Sequence, residues 1–324
     1  MFRLPCLVAL CAAALIAAAG AAPAAELEKV TIVVFGAPSL GAFLPPVIKR
    51  LKLDEESGLA LDFIERTPDA YTAQFNSGEF QVGGSASLLT VGQADLRGVK
   101  VAYLFNLFDF WGAVVTSRAE VKSLRDLEGK ELAAARGTTN FLMFDWFARQ
   151  QGLDPAKLSV VNTATPGLVG YALADRAAAV QLWEPAYTIL LAKKPSLRTL
   201  DLQIAGRWGA FAGSRNIPYL GVAAHLDWIN KHRATIPKLF AAYQAAAEWI
   251  VAHPEHAATI IAPKGSAEDQ RAIADLIKSN ERLGLNLRWA SDVRREIEAV
   301  YAVGKSIGFL SSDPSRSSIY QVTR

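Results

Sequence analysis

The sequence predicts an α/β protein of two units, each an open, mostly parallel sheet flanked by helices. Three observations predict it. Short apolar or β-branched runs alternate with helical patterns from Lys29 to about Leu220. The alternation restarts near Trp111, so there is enough of it for two sheets. The 324 residues exceed one typical core and suit two domains.

The elements follow in order. Val30 to Phe35 is a continuous β-branched run, as strands of a parallel sheet tend to be. Ala60 to Glu65 is a second strand, after the turn at Ser57-Gly58. Thr67-Pro68-Asp69 supplies the N-cap, first-turn proline and first-turn acid of a helix. Gln81 to Ser85 ends a third strand and opens a helix, and Val99 to Leu107 gives a fourth.

In the second unit Trp111 to Ser117 is a strand. Ser123 to Gly129 is a short capped helix ending on glycine. Glu131 to Ala135, Leu158 to Val161 and Ala177 to Leu182 are strands, with helices from Gly137-Thr138-Thr139 and over Pro166 to Ala174. From Leu220 the texture changes. After one more strand, Gly221 to Ala224, four segments carry apolar residues at three–four spacing: Ile236 to Ala252, Pro254 to Ile261, Ala267 to Ser279 and Asp292 to Ser306. Such helices need a sheet to pack on, so this part is expected to return to the first unit.

Residues 1–25 read separately. Arg3, an apolar run from Leu7 to Ala19 and the small-residue site Ala22-Pro23-Ala24 make a secretory signal peptide, which predicts a periplasmic protein. The only cysteines, Cys6 and Cys11, fall inside it. The mature chain is therefore expected to lack disulfides, thiolate nucleophiles and cysteine metal ligands. The net charge is +3 and the basic residues are dispersed, so nothing points to nucleic acid.

Catalytic motifs fail. Gly304-Lys305-Ser306 resembles the end of a phosphate-binding loop, but Ala299 stands where its first glycine belongs, inside a helical pattern. Gly83 to Ser87 has the wrong spacing for a nucleophile elbow. His253 and His256 lie one turn apart, yet Pro254 and Glu255 read as a helix start. No catalytic residue, metal or cofactor is expected.

Binding chemistry remains. Four strand ends run into helix starts rich in Gly, Ser and Thr: Gly36 to Ser39, Gly84 to Ser87, Gly137 to Asn140 and Thr163 to Gly167. Unpaired N–H groups there suit accepting oxygens, and open α/β sheets bind ligands at such ends. Asp109 and Trp111 sit with Phe108 and Phe110 at the crossing between units. Trp183-Glu184-Pro185 ends a strand, so the pair either faces a ligand or Glu184 caps the helix that Pro185 begins.

These residues carry a resemblance. "GEFQVGGSAS", "VKSLRDLEGKELAAARGTTNF", "LADRAAAVQLWEPAY" and "AHLDWINKHRATIPKLFAAYQAAAEWIVAHPEHAATIIA" resemble the exported substrate-binding proteins of ABC importers. The branch is the one serving sulfonates, taurine, nitrate and thiamine-precursor pyrimidines. The resemblance runs from about Lys29 to beyond Gly308. It implies a two-lobed, type II-like periplasmic binding protein with two hinge crossings. Residues 26–112 with 219–324 would form one lobe, and 113–218 the other. It puts ligand-contacting loops on Ser39, Gly84-Ser85, Thr138-Thr139, Thr165 and Trp183-Glu184. The implied partners are a small solute and the importer's permease and ATPase, met by a monomer.

The aromatic rings and the two acids, Asp109 and Glu184, depart from what a small inorganic anion needs. They suggest an organic, sulfonate-like solute with a polar or anionic head and an apolar or aromatic body. Enzymes resembling these proteins, sulfinate desulfinases and pyrimidine synthases, use cysteine chemistry that the mature chain lacks. A ligand-sensing receptor would use the same closure.

Overall fold

The structure, a computed structural model, describes residues 26–322, apart from the side chains of Thr165 and Pro166. The expected signal peptide lies outside the described residues. Eleven strands are described: β1 (Glu28–Phe35), β2 (Leu59–Arg66), β3 (Val82–Ser87), β4 (Val101–Asp109), β5 (Ala113–Thr116), β6 (Glu131–Ala134), β7 (Ser159–Asn162), β8 (Ala179–Leu182), β9 (Arg198–Leu200), β10 (Pro218–His225) and β11 (Leu285–Trp289). They form two sheets, ordered β11-β4-β10-β3-β1-β2 and β7-β6-β8-β5-β9.

The sheets are mixed, which corrects the expectation of mostly parallel ones. In the first, β1 pairs in parallel with β2 and β3, but β10 inserts antiparallel between β3 and β4, and β11 runs antiparallel to β4. In the second, β6 pairs in parallel with β7 and β8, whereas β5 opposes both β8 and β9. The cause is connectivity. β5 and β10 are each preceded by a strand of the other sheet, β4 and β9, so no β-α-β crossover within one sheet fixes either as a parallel neighbour.

The C-terminal helices form as Thr235–Ala252, Pro254–Ile261, Ala267–Ser279 and Arg294–Ser306. The first lays Tyr243 edge-on to Phe63 and Phe105 of the first sheet, at 6.3 and 5.7 Å between ring centres. Gly84 makes this approach possible, since a β-carbon there would lie 2.7 Å from the Tyr243 hydroxyl. Thr67 caps helix Pro68–Asn76 through the Ala70 N–H at 3.4 Å, as its sequence signature predicts.

The two sheet units meet on both flanks. Helix Ala186–Lys193 packs on helix Ala267–Ser279, where Lys193 reaches Asp269 at 3.4 Å. On the other flank the Asn140 amide donates to the Tyr219 hydroxyl at 2.6 Å. Among the described residues no helix is long and apolar enough to cross a membrane.

Candidate functional site

β1, β6 and β8 each run at their ends into segments that carry predicted residues. After β1, Ser39 is extended and its hydroxyl donates to the Phe35 carbonyl at 3.3 Å. Ser85, fully buried in β3, accepts the Phe35 N–H at 2.8 Å, so it fastens β1 to β3. Gly84 turns its missing side chain to the core, where the space serves Tyr243 and Ile32. After β6, Thr138 caps helix Thr139–Gln150, accepting the Phe141 N–H at 3.2 Å and donating to the Ala135 carbonyl at 2.8 Å. Thr139 is buried and its hydroxyl has no hydrogen-bond partner. Thr165 opens helix Thr165–Leu173, and its side chain lies outside the described residues.

The end of β8 is occupied from within. Trp183 is packed in the second unit's apolar core with Tyr187 and Leu190. Glu184, 1% exposed, accepts the Thr188 N–H at 3.1 Å, the Thr188 hydroxyl at 2.8 Å and the Arg282 guanidinium at 2.9 Å. The helix-capping alternative holds, with an ion pair to the first unit added. Burial pushes the Glu184 carboxyl above its ordinary value, and the bonds from Arg282 and Thr188 pull the other way. Both carboxylate oxygens have partners within the protein.

Trp111 joins the same cluster, with Tyr187 edge-on at 4.8 Å and the Arg282 guanidinium 5.9 Å from its ring centre. Asp109, at the other side of the crossing, accepts amide protons from Asn106 at 3.0 Å and Asn286 at 2.8 Å. Burial raises its carboxyl from 3.8 to about 6, against the opposing pull of those two amides. Asp109 ends β4 and Trp111 precedes β5, so the two stand at the crossing between the sheets, where the sequence placed them.

A cavity of about 550 Å³ opens beside β1 and β2. Ala37, Pro38, Ser39, Phe43 and Phe63 wall it from the first sheet's side. Ile260 to Gly265 close it from the C-terminal helices, and Pro185 and Ile189 reach it from the second unit. The lining is aliphatic and proline-rich. Its charged groups are Lys49, Glu65 and Lys264. Lys49 is held by Asp54 at 2.6 Å, while Lys264 makes no ion pair among the described residues. Of the predicted site residues only Ser39 lines this cavity. Sequence reasoning missed Ile189 and the turn Ala262-Pro263-Lys264-Gly265. The Pro-Lys-Gly break between two amphipathic helices was the available signal.

His253 and His256 pack on Trp249 at 4.8 and 5.1 Å, and His253 directly precedes helix Pro254–Ile261. Among the described residues no group of three or more His, Cys, Asp or Glu is placed to hold a metal.

Two mixed α/β sheets flanked by helices and joined by two crossings, with a cavity lined from both units, define the periplasmic-binding-protein fold. The periplasmic aliphatic sulphonate binding protein SsuA of Escherichia coli has this fold, with a TM-score of 0.70 at 16% identity over 91% of this chain and 98% of that one. The alkanesulfonate-binding protein SsuA of Xanthomonas axonopodis pv. citri, bound to MOPS, matches with a TM-score of 0.73 at 14% identity over 92% and 100%. The Candida albicans CA3427 product, described as having the generic periplasmic binding protein fold, matches at 0.63 with 15% identity over 89% and 92%. The NMT1/THI5-like family profile matches residues 55–257, more than half of the sequence, and the chain belongs to that family. No curated protein matches the sequence.

Proposed function

We propose that this protein is the extracytoplasmic solute-binding component of an ABC importer, exported by residues 1–25. Residues 26–112 with 219–324 form one lobe and 113–218 the other, and a small organic solute is captured between them. The observation that carries the reading is the cavity of about 550 Å³ walled by both units, within the range of small-molecule sites. Its apolar walls favour an organic body over a bare inorganic anion. The ammonium of Lys264 and the hydroxyl of Ser39 supply contacts for a polar or anionic head. Across the cleft Thr138, Thr139 and Thr165 stand at helix starts, where N–H groups can donate to further oxygens. The solute stabilises closure by touching both lobes, and the closed form is what the permease and ATPase meet. An enzyme of cysteine type lacks its nucleophile, since both cysteines precede residue 26.

The test is thermal unfolding of protein that has been denatured and refolded to strip carried-over solute. The panel is alkyl and aryl sulfonates, taurine, nitrate, aromatic carboxylates and pyrimidines. A solute at about 100 times its dissociation constant adds about 2.7 kcal/mol, a rise of a few degrees at this size. Stabilisation by one organic class supports the reading and names the solute. A response to nitrate alone contradicts the organic class.

A further inference from the structure

The cavity between the units carries two charges of opposite sign that the protein does not pair. Glu65 lies at the end of β2, in register with Val34 of β1. Phe63 and Glu65 are two apart on that strand and share one face, and both line the cavity. A β-carbon at Gly36 would lie 3.0 Å from the Glu65 Oε2. The carboxylate therefore stands over the backbone at which β1 gives way to the wall segment Ala37-Pro38-Ser39. Arg66, next in the chain, directs its donors elsewhere: its Nε donates to the Gln74 side chain at 2.8 Å and its Nη1 to the Glu65 carbonyl at 2.8 Å.

Lys264 stands on a separate element, the turn between helices Pro254–Ile261 and Ala267–Ser279. The turn is held at Ala262, whose carbonyl accepts the Gly265 N–H at 3.0 Å and the Gln270 amide at 2.9 Å. Among the described residues neither Glu65 nor Lys264 makes an ion pair, with each other or with any other group. The remaining lining is apolar apart from Ser39 and from Lys49, which Asp54 already holds.

An unpaired acid and an unpaired base in one otherwise apolar cavity are complementary to a solute that carries both charges on an apolar body. A simple anion meets Lys264 but is repelled by Glu65. We propose that the solute is a zwitterion, of the ω-amino acid or ω-aminosulfonate type with an aliphatic or aromatic spacer, whose ammonium is read by Glu65 and whose anionic head is read by Lys264. Glu65 is then the specificity residue, because it attracts the zwitterion and disfavours the anion that lacks the amine. The inference rests on the reading of this cavity as the solute site and narrows the class of solute within it. Both residues are exposed, so the charge contacts are screened and each is worth a few fold in affinity.

Isothermal titration with matched pairs tests it. The pairs are ω-amino acids against fatty acids of the same chain length, and ω-aminoalkanesulfonates, taurine the shortest, against the corresponding alkanesulfonates. Each is titrated into refolded wild type, Glu65→Gln and Glu65→Lys. The wild type is expected to bind the amino member about fivefold more tightly. Glu65→Gln should abolish the difference and Glu65→Lys should reverse it. Added salt should shrink the wild-type preference. Because Glu65 is exposed, the three proteins should share one thermal midpoint.

Equal affinity for both members in the wild type, or a preference that survives in Glu65→Gln, overturns the zwitterion and leaves the cavity as a solute site. Binding of pyrimidines or aromatic carboxylates with no member of any pair bound has the same meaning. Binding of no solute at all overturns the solute-site reading and this inference with it.

Discussion

Asp109 holds the least comfortable charge at the crossing. Its carboxyl titrates near 6 instead of 3.8 because burial disfavours the anion more than two asparagine amides favour it. A folded-state value raised above the unfolded one means that the folded protein keeps a proton which the unfolded chain releases. Its contribution is therefore fully present below pH 4 and is lost as pH rises to about 6, by about 3 kcal/mol. Asp109→Asn removes the titration. Urea unfolding between pH 4 and 7 should show the wild type losing stability relative to the variant over that window, then a constant difference. Parallel curves for the two proteins would contradict the assignment. Glu184 adds a slope of the same sign, because its carboxyl is raised as well.

At the scale of the element, the loop before β11 depends on Gly284. Its φ is +65°, and a β-carbon would stand 2.6 Å from the Asp109 carbonyl oxygen. Gly284→Ala is expected to cost about 2 kcal/mol or more, from left-handed strain plus displacement of the loop from β4. Chemical denaturation measures it, and a loss under 0.5 kcal/mol would mean that the loop yields freely. This element was also the least legible in the sequence. The nine strands recognised from Val30 to Ala224 are apolar or β-branched runs that periodicity marks. β11, LNLRW, alternates apolar and polar residues over only five positions amid long helical patterns, and the three-residue β9 is too short for any pattern; pairing with β4 and β5 makes them strands. The helices after Ile236 were legible almost to the residue because their apolar faces and first-turn signals, such as Pro254 and Ser266, coincide. The partner of Glu184 was not. Arg282 lies 98 positions away, and only the fold brings the two together.

At the scale of the molecule, the cavity between the units carries the functional reading. Ile189 reaches it from the second unit and Ile260 from the first. Ile189→Glu sets a carboxylate among aliphatic walls and is expected to weaken an organic anion by at least about tenfold. Because Ile189 is only half-buried, the thermal midpoint of the solute-free protein should move little. Equal affinity in variant and wild type would place the solute elsewhere in the cleft. The strand-end hydroxyls could be read from the sequence, but this cavity could not, since its walls come from four separated segments and only two, at Ser39 and at Pro185 after Trp183-Glu184, adjoin a ligand signal.

Isothermal titration of the refolded protein with the organic panel decides whether the cavity holds a solute. One solute class is expected to bind at one molecule per chain, with the negative heat-capacity change that marks burial of apolar surface. Heats no larger than dilution for every solute at millimolar concentration, or slow heat from turnover in place of saturation, would contradict it.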